Sequence, residues 1–136
     1  MSETLSKKVS SEAHLPYYRL GGEQGIKELC KAFYEVMDTL PEAKDIRAMH
    51  GESLSSVENK LFEYLSGWLG GPNLYLEKYG SICLTSPHKP YAINEQARDQ
   101  WLLCMDKALE KVNADTDTKA MLKQPMYDIA NFIKNC

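Results

Sequence analysis

Four stretches of the chain space their apolar residues three and four positions apart, and nowhere do apolar and polar residues alternate as a half-buried strand requires. Ile26, Leu29, Cys30, Phe33, Val36 and Met37 form one stripe in a helix predicted from Glu23 to about Met37. Leu54, Val57, Leu61, Leu65 and Trp68 form a second, with Ser53 as candidate cap and Gly70, Gly71 and Pro72 as its stop. A third begins at about Glu95, capped by Asn94, and carries Trp101, Met105, Ala108, Leu109 and Val112. A fourth begins at about Asp117, with Leu122, Met126, Ile129 and Ile133 inward and a kink expected at Pro125. Each stripe must be buried against another, so the pattern predicts an all-α class in which two pairs of helices stack.

The connections carry as much information as the helices. Residues 1–14 are polar and without period, which predicts a flexible leader ahead of a single domain from Leu15 to Cys136. The segment Leu15–Leu20 runs into Gly21 and Gly22, a sharp hinge. Pro41 ends or redirects the first long helix, and a short helical corner leads to His50 and Gly51. From Asn73 to Ile93 the period is lost although large apolar and aromatic groups are frequent, and a loop of that length inside a small domain is usually functional.

A chain of 136 residues can bury one sizeable core and needs no second domain. Its net charge of −3 and the absence of a concentrated basic face argue against phosphate recognition, and so against a nucleic-acid partner. No apolar run reaches the roughly 18 residues that cross a bilayer, and the first fifteen residues lack the apolar centre of a secretory signal, so the expected location is cytoplasmic, with no membrane partner. Cys30, Cys83, Cys104 and Cys136 are widely spaced with no CxxC pair, which disfavours structural zinc or a disulfide framework. Cys30 and Cys104 fall on apolar helix faces, where they read as small buried hydrophobes.

Only three histidines are present. His14 lies in the polar leader and is given no role. His88, in SPHKPYAI, stands close to a proline on either side, and the restricted backbone suits a metal ligand whose ring direction must be fixed. On local sequence alone a surface-loop histidine is the plainer reading. His50 sits in the corner after the first long helix, Tyr34 beside that helix's stripe, and Trp101 on the inward face of the third helix. Periodicity alone favours core packing for Tyr34 and Trp101.

Taken in order, YYRLGG at 17–22, Phe33-Tyr34, GWLGGP at 67–72, PHKPYAI at 87–93 and RDQWLLCM at 98–105 resemble the group two truncated haemoglobins, over about Tyr17 to Leu109. That resemblance implies a truncated-globin two-over-two helical sandwich enclosing haem b. His88 then matches the proximal iron ligand, in a short helix within the long loop. Tyr34, Trp101 and His50 match the distal positions that face a bound gas, and Tyr34 is also the candidate sixth iron ligand when no gas is bound. Val57 and Leu61 match the distal-helix positions where other globins carry histidine or glutamine. Phe33, Tyr79, Leu84, Tyr91 and Ile93 complete the implied haem pocket. Two basic positions that often meet the haem propionates are Pro87 and Tyr79 here, so Lys78 and Lys89 are the substitutes expected.

The ligands so implied are O2, CO, NO and related small molecules. Polar groups on the distal side would hold charge developing on a bound gas and slow its release, which favours redox chemistry over delivery. Such chemistry includes oxidation of nitric oxide, peroxynitrite isomerisation or a peroxidase-like step, with an unidentified reductase to restore the ferrous state. The alternative from another class is a haem-free helical interaction module in which the aromatic loop is a partner surface.

Overall fold

The computed structural model describes residues 15–81, 88 and 91–135. Seven α-helices and one 3₁₀ turn make up the described residues, with no strand among them. We number them α1 (Pro16–Arg19), α2 (Gly22–Thr39), α3 (Lys44–Ala48), α4 (Ser55–Trp68), α5 (Leu74–Tyr79), α6 (Glu95–Lys111) and α7 (Thr116–Ile133), and the 3₁₀ turn Pro41–Ala43 precedes α3. The expected leader, residues 1–14, lies outside the described residues.

Helix α2 is the centre of the molecule: it packs on α4 and on α6, and α6 packs in turn on α7. All six residues of its stripe are buried, and so are Ala32 and Tyr34 beside them, as a helix with neighbours on two sides requires. Helix α6 starts where Asn94 accepts the Ala97 N–H at 2.9 Å, and α7 where Asp115 accepts the Thr118 N–H at 2.7 Å. Helix α7 runs through Pro125, whose missing N–H faces the exposed side. The cap of α4 differs from expectation: Leu54 occupies it without a side-chain bond, while Ser53 Oγ lies 2.9 Å from the Ser55 hydroxyl. Within the long loop, Leu74–Tyr79 is a helix, closed by Gly80 at φ +72°. The six residues of this helix are too few to show a helical period.

The two glycine-bearing motifs meet in space. The Tyr17 N–H donates to the Leu69 carbonyl at 2.9 Å, and the Tyr17 ring lies so close to Gly71 that a Cβ there would be 2.5 Å from ring carbons. The end of α4 is thereby fixed against α1, and the pair YYRLGG and GWLGGP has one packing reason.

The burial pattern also points to the site. Phe33, Leu29, Cys104, Met105 and Leu122 are buried, as their stripes require. Val57, Leu61, Trp68, Trp101, Ile129 and Ile133, equally apolar and equally expected inward, are only half-buried. They face one another across a hollow.

Candidate functional site

That hollow is a cavity of about 390 Å³ between α2, α3, α4, α6 and α7, within the size range of small-molecule sites. Its wall carries His88, Tyr34, His50, Trp101, Val57, Leu61, Tyr91 and Ile93, so eight of the residues singled out in the sequence come together there. Phe33 does not reach the wall. It is fully buried one layer behind, its ring 4.9 Å from Tyr34 and 5.3 Å from Trp101, and it buttresses both. Tyr79 and Lys78 stand outside as well: Tyr79 is exposed and packs at a tilt against Tyr75, ring centres 4.5 Å apart, and the Lys78 ammonium lies 3.5 Å from the buried Glu63 carboxylate. Lys78 is held as a cation by the Tyr79 hydroxyl and by Glu63, which ties α5 to α4 instead of serving the cavity. Leu84 and Lys89 lie outside the described residues.

Sequence reasoning missed two cations on the wall, Lys60 and Arg98. Arg98 is held by Asp99 at 3.1 Å and Asn131 at 2.9 Å, and its guanidinium lies over the Tyr127 ring. Lys78 and Lys89 lie within two residues of Tyr79 and Pro87, the positions where the resemblance implies basic groups, but the cations on the wall come from helix α4 and the first turn of α6.

The distal groups are not equivalent. Desolvation pushes the Tyr34 phenol well above its ordinary range, with Cys30 and Glu58 adding to the effect, so it stays an O–H donor. Its present acceptor is the Val57 carbonyl at 3.5 Å, a long bond that leaves the hydroxyl weakly committed. His50 Nδ1 lies 2.7 Å from the Ile46 carbonyl oxygen. A carbonyl can only accept, so Nδ1 carries a proton, which selects the tautomer whose other nitrogen, Nε2, is an acceptor whenever the ring is uncharged. The Tyr34 and His50 rings meet edge to face at 6.0 Å.

His88 is half-buried and itself helical, and its carbonyl accepts the Tyr91 N–H at 3.0 Å. The segment is fastened by Asn135, which belongs to no apolar stripe or motif of the chain. Asn135 Oδ1 accepts the Ile93 N–H at 2.8 Å, and Asn135 Nδ2 donates to the Tyr91 carbonyl at 2.8 Å and the His88 carbonyl at 3.4 Å. The Asn135 N–H also donates to the Ile93 carbonyl at 2.9 Å. The end of the chain thus clasps the backbone around His88.

The donor set decides what the cavity could hold. A bare metal centre needs several converging ligands, and among the described residues no group of three His, Cys, Asp or Glu side chains converges. One imidazole, a broad apolar wall and cations at its margin instead suit a flat apolar macrocycle that brings its own metal ligands and carries peripheral carboxylates, and haem b meets that description.

The comparisons with known proteins agree with this geometry. The bacterial-like globin family matches residues 16–135. The chain is 31% identical to the group 2 truncated hemoglobin YjbI of Bacillus subtilis (strain 168) over 105 residues, 77% of each chain. It is also similar in structure to the cold-adapted truncated hemoglobin of the Antarctic marine bacterium Pseudoalteromonas haloplanktis TAC125, with a TM-score of 0.86 and 38% identity over 90% of this chain and 98% of that one. A truncated oxygen-avid haemoglobin from Bacillus subtilis aligns with a TM-score of 0.79 and 30% identity, over 90% of this chain and 100% of that one.

Proposed function

The chain belongs to the bacterial-like globin family as a group 2 truncated haemoglobin, a haem b protein that binds small diatomic gases, and from that premise we propose that it retains its ligand for redox chemistry instead of delivering it. The observation that carries the reading is the placing of three polar aromatic groups, Tyr34, His50 and Trp101, on the wall of one largely apolar cavity. Haem supplies an iron that binds diatomic gases and exchanges electrons with them.

The chain's own groups do the rest. His88 would hold the iron, from a backbone that the Asn135 side chain clasps at the His88 and Tyr91 carbonyls. Tyr34 offers a protonated hydroxyl, and Trp101 an indole N–H that no hydrogen bond among the described residues takes up. Both donors stabilise negative charge on a ligand, and the apolar surroundings strengthen them. His50 has the complementary role: with Nδ1–H tethered to Ile46, its Nε2 accepts a hydrogen bond from the Tyr34 hydroxyl or takes a proton from a protic ligand such as hydrogen peroxide. A donor and an acceptor side by side favour a peroxidase-like or nitric-oxide-oxidising reaction over simple storage. Val57 and Leu61 keep the remaining wall dry. Lys60 and Arg98 replace Lys78 as the partners of the haem carboxylates, with a separate reductase returning the iron to its ferrous state. Oxygen avidity in the Bacillus subtilis relative is consistent with slow release.

A haem-free interaction module has no use for this cavity, and family membership stands against it. The test is oxygen dissociation by stopped flow. Removing one donor to a charged acceptor in Trp101→Phe speeds release by about tenfold or more. An unchanged rate removes Trp101 from the mechanism.

A further inference from the structure

A second hollow, a groove of about 470 Å³, opens on the surface at the corner between α2 and α3. Its rim carries Asp38, Lys44, Arg47 and Glu52, two acids and two bases, so it holds no net charge to repel or capture an ion. Met37, His50 and Gly51 line both this groove and the interior cavity, and they therefore form the partition between the two.

The partition is held by one guanidinium. Arg47 Nε donates to Asp38 Oδ1 at 2.9 Å, and its two terminal nitrogens donate to the Gly51 carbonyl at 2.9 Å and the Glu52 carbonyl at 3.2 Å. The end of α2 is thus locked to the turn that follows His50, while His50 itself is tethered by Nδ1 to Ile46. The spread donors of a guanidinium suit three separate acceptors on two elements, which a compact ammonium matches less well. Gly51 adds a second feature: its backbone is outside the left-handed region and a Cβ there meets nothing within 4 Å, so the turn leaves open space where a side chain would stand.

We propose that small uncharged ligands enter the cavity through this corner groove, past the His50 ring, and that Arg47 is the positioning residue which keeps the partition closed. The proposal rests on the haem reading above. Release of the Arg47 fork lets the Gly51–Glu52 backbone and the His50 ring shift together, and the groove and cavity become one passage. Bulky molecules stay outside, and charged ones are disfavoured by the desolvation that entry into the largely apolar cavity requires.

The test is carbon monoxide rebinding after flash photolysis of the haem-loaded protein, repeated with a bulky alkyl isocyanide. Gly51→Trp fills the open space and slows the bimolecular rate, more for the isocyanide than for carbon monoxide. Arg47→Ala raises the rate about tenfold, the factor expected when a charge-assisted bond no longer holds the closed form. Arg47→Lys, which keeps the Asp38 pair but loses the fork, falls between. Nitrogen NMR of the His50 ring in the carbon monoxide form provides a readout independent of rate: Arg47→Ala broadens or shifts its signals, Gly51→Trp leaves the Nδ1–H tautomer in place. Rates in Gly51→Trp and Arg47→Ala equal to wild type overturn the port. Failure of the wild type to bind carbon monoxide overturns the haem reading itself. Should Arg47→Ala not fold, Gly51→Trp decides alone.

Discussion

Replacing Asn135 by alanine isolates the contribution of the C-terminal clasp to the proximal segment. The substitution removes two short side-chain bonds, to the Ile93 N–H and the Tyr91 carbonyl at 2.8 Å each, and one long contact to the His88 carbonyl at 3.4 Å. It leaves the backbone bond from Asn135 to Ile93 intact. A net hydrogen bond contributes about 0.5–1.5 kcal/mol, and Asn135 is exposed, so the groups it frees rehydrate and the low end applies. The expected loss is about 1 kcal/mol, which accelerates haem dissociation about fivefold if the intact segment is needed to hold the iron. The assay is haem transfer to an excess of a scavenging apoprotein, with the iron–histidine stretching band of the ferrous form recorded in parallel. Asn135→Asp keeps the acceptor for Ile93 but loses the donor to Tyr91 and falls between. Identical haem loss and an identical iron–histidine band in Asn135→Ala and wild type would refute the clasp, because a merely structural contact elsewhere would not move that band.

Gly71→Ala places a Cβ 2.5 Å from the Tyr17 ring, and the cost of such overpacking is about 1–3 kcal/mol, read as a lower urea midpoint at unchanged slope. A midpoint equal to wild type would show that the α1–α4 junction yields at no cost. The thiols give a pH dependence. Burial pushes Cys30 up to about 12, with Glu58 adding to it, and Cys104 up to about 11. A thiol pKa raised on folding stabilises the native state below the unfolded value near 9 and is lost as pH rises toward the folded values, so stability falls between about pH 9 and 12. In a Cys30→Ser/Cys104→Ser protein that alkaline decline is smaller, as followed by unfolding at stepped pH, and a decline of equal size would reject the assignment.

The sequence was most legible where the signal is periodic. The four long helices follow from their apolar stripes, and Asn94 marks the start of α6 because a cap is a local bond. Eight residues of the cavity wall were singled out through the motif resemblance, whereas periodicity alone reads Tyr34 and Trp101 as core. What escaped depends on distance along the chain. Asn135 acts on residues more than forty positions away, and a lone polar residue near the end of a chain has no pattern. Lys60 and Arg98 reach the cavity because α4 and α6 flank it, whereas Lys78, on the short helix α5, turns to Glu63. Phe33 shows the converse: adjacency to Tyr34 placed it in the pocket, but successive helical residues diverge by about 100°, so it supports the wall from behind. The His50 tautomer needs the Ile46 carbonyl, a contact made only once the corner has folded.

The most direct test is the absorption spectrum of the reduced protein under carbon monoxide, taken on wild type and on His88→Gly with and without added imidazole. Wild type gives a Soret band near 420 nm (about the value for this class of haem complex). His88→Gly loses the band or its iron–histidine vibration, and imidazole restores both. An unaltered spectrum in His88→Gly would contradict the assignment of His88 as the residue that holds the iron.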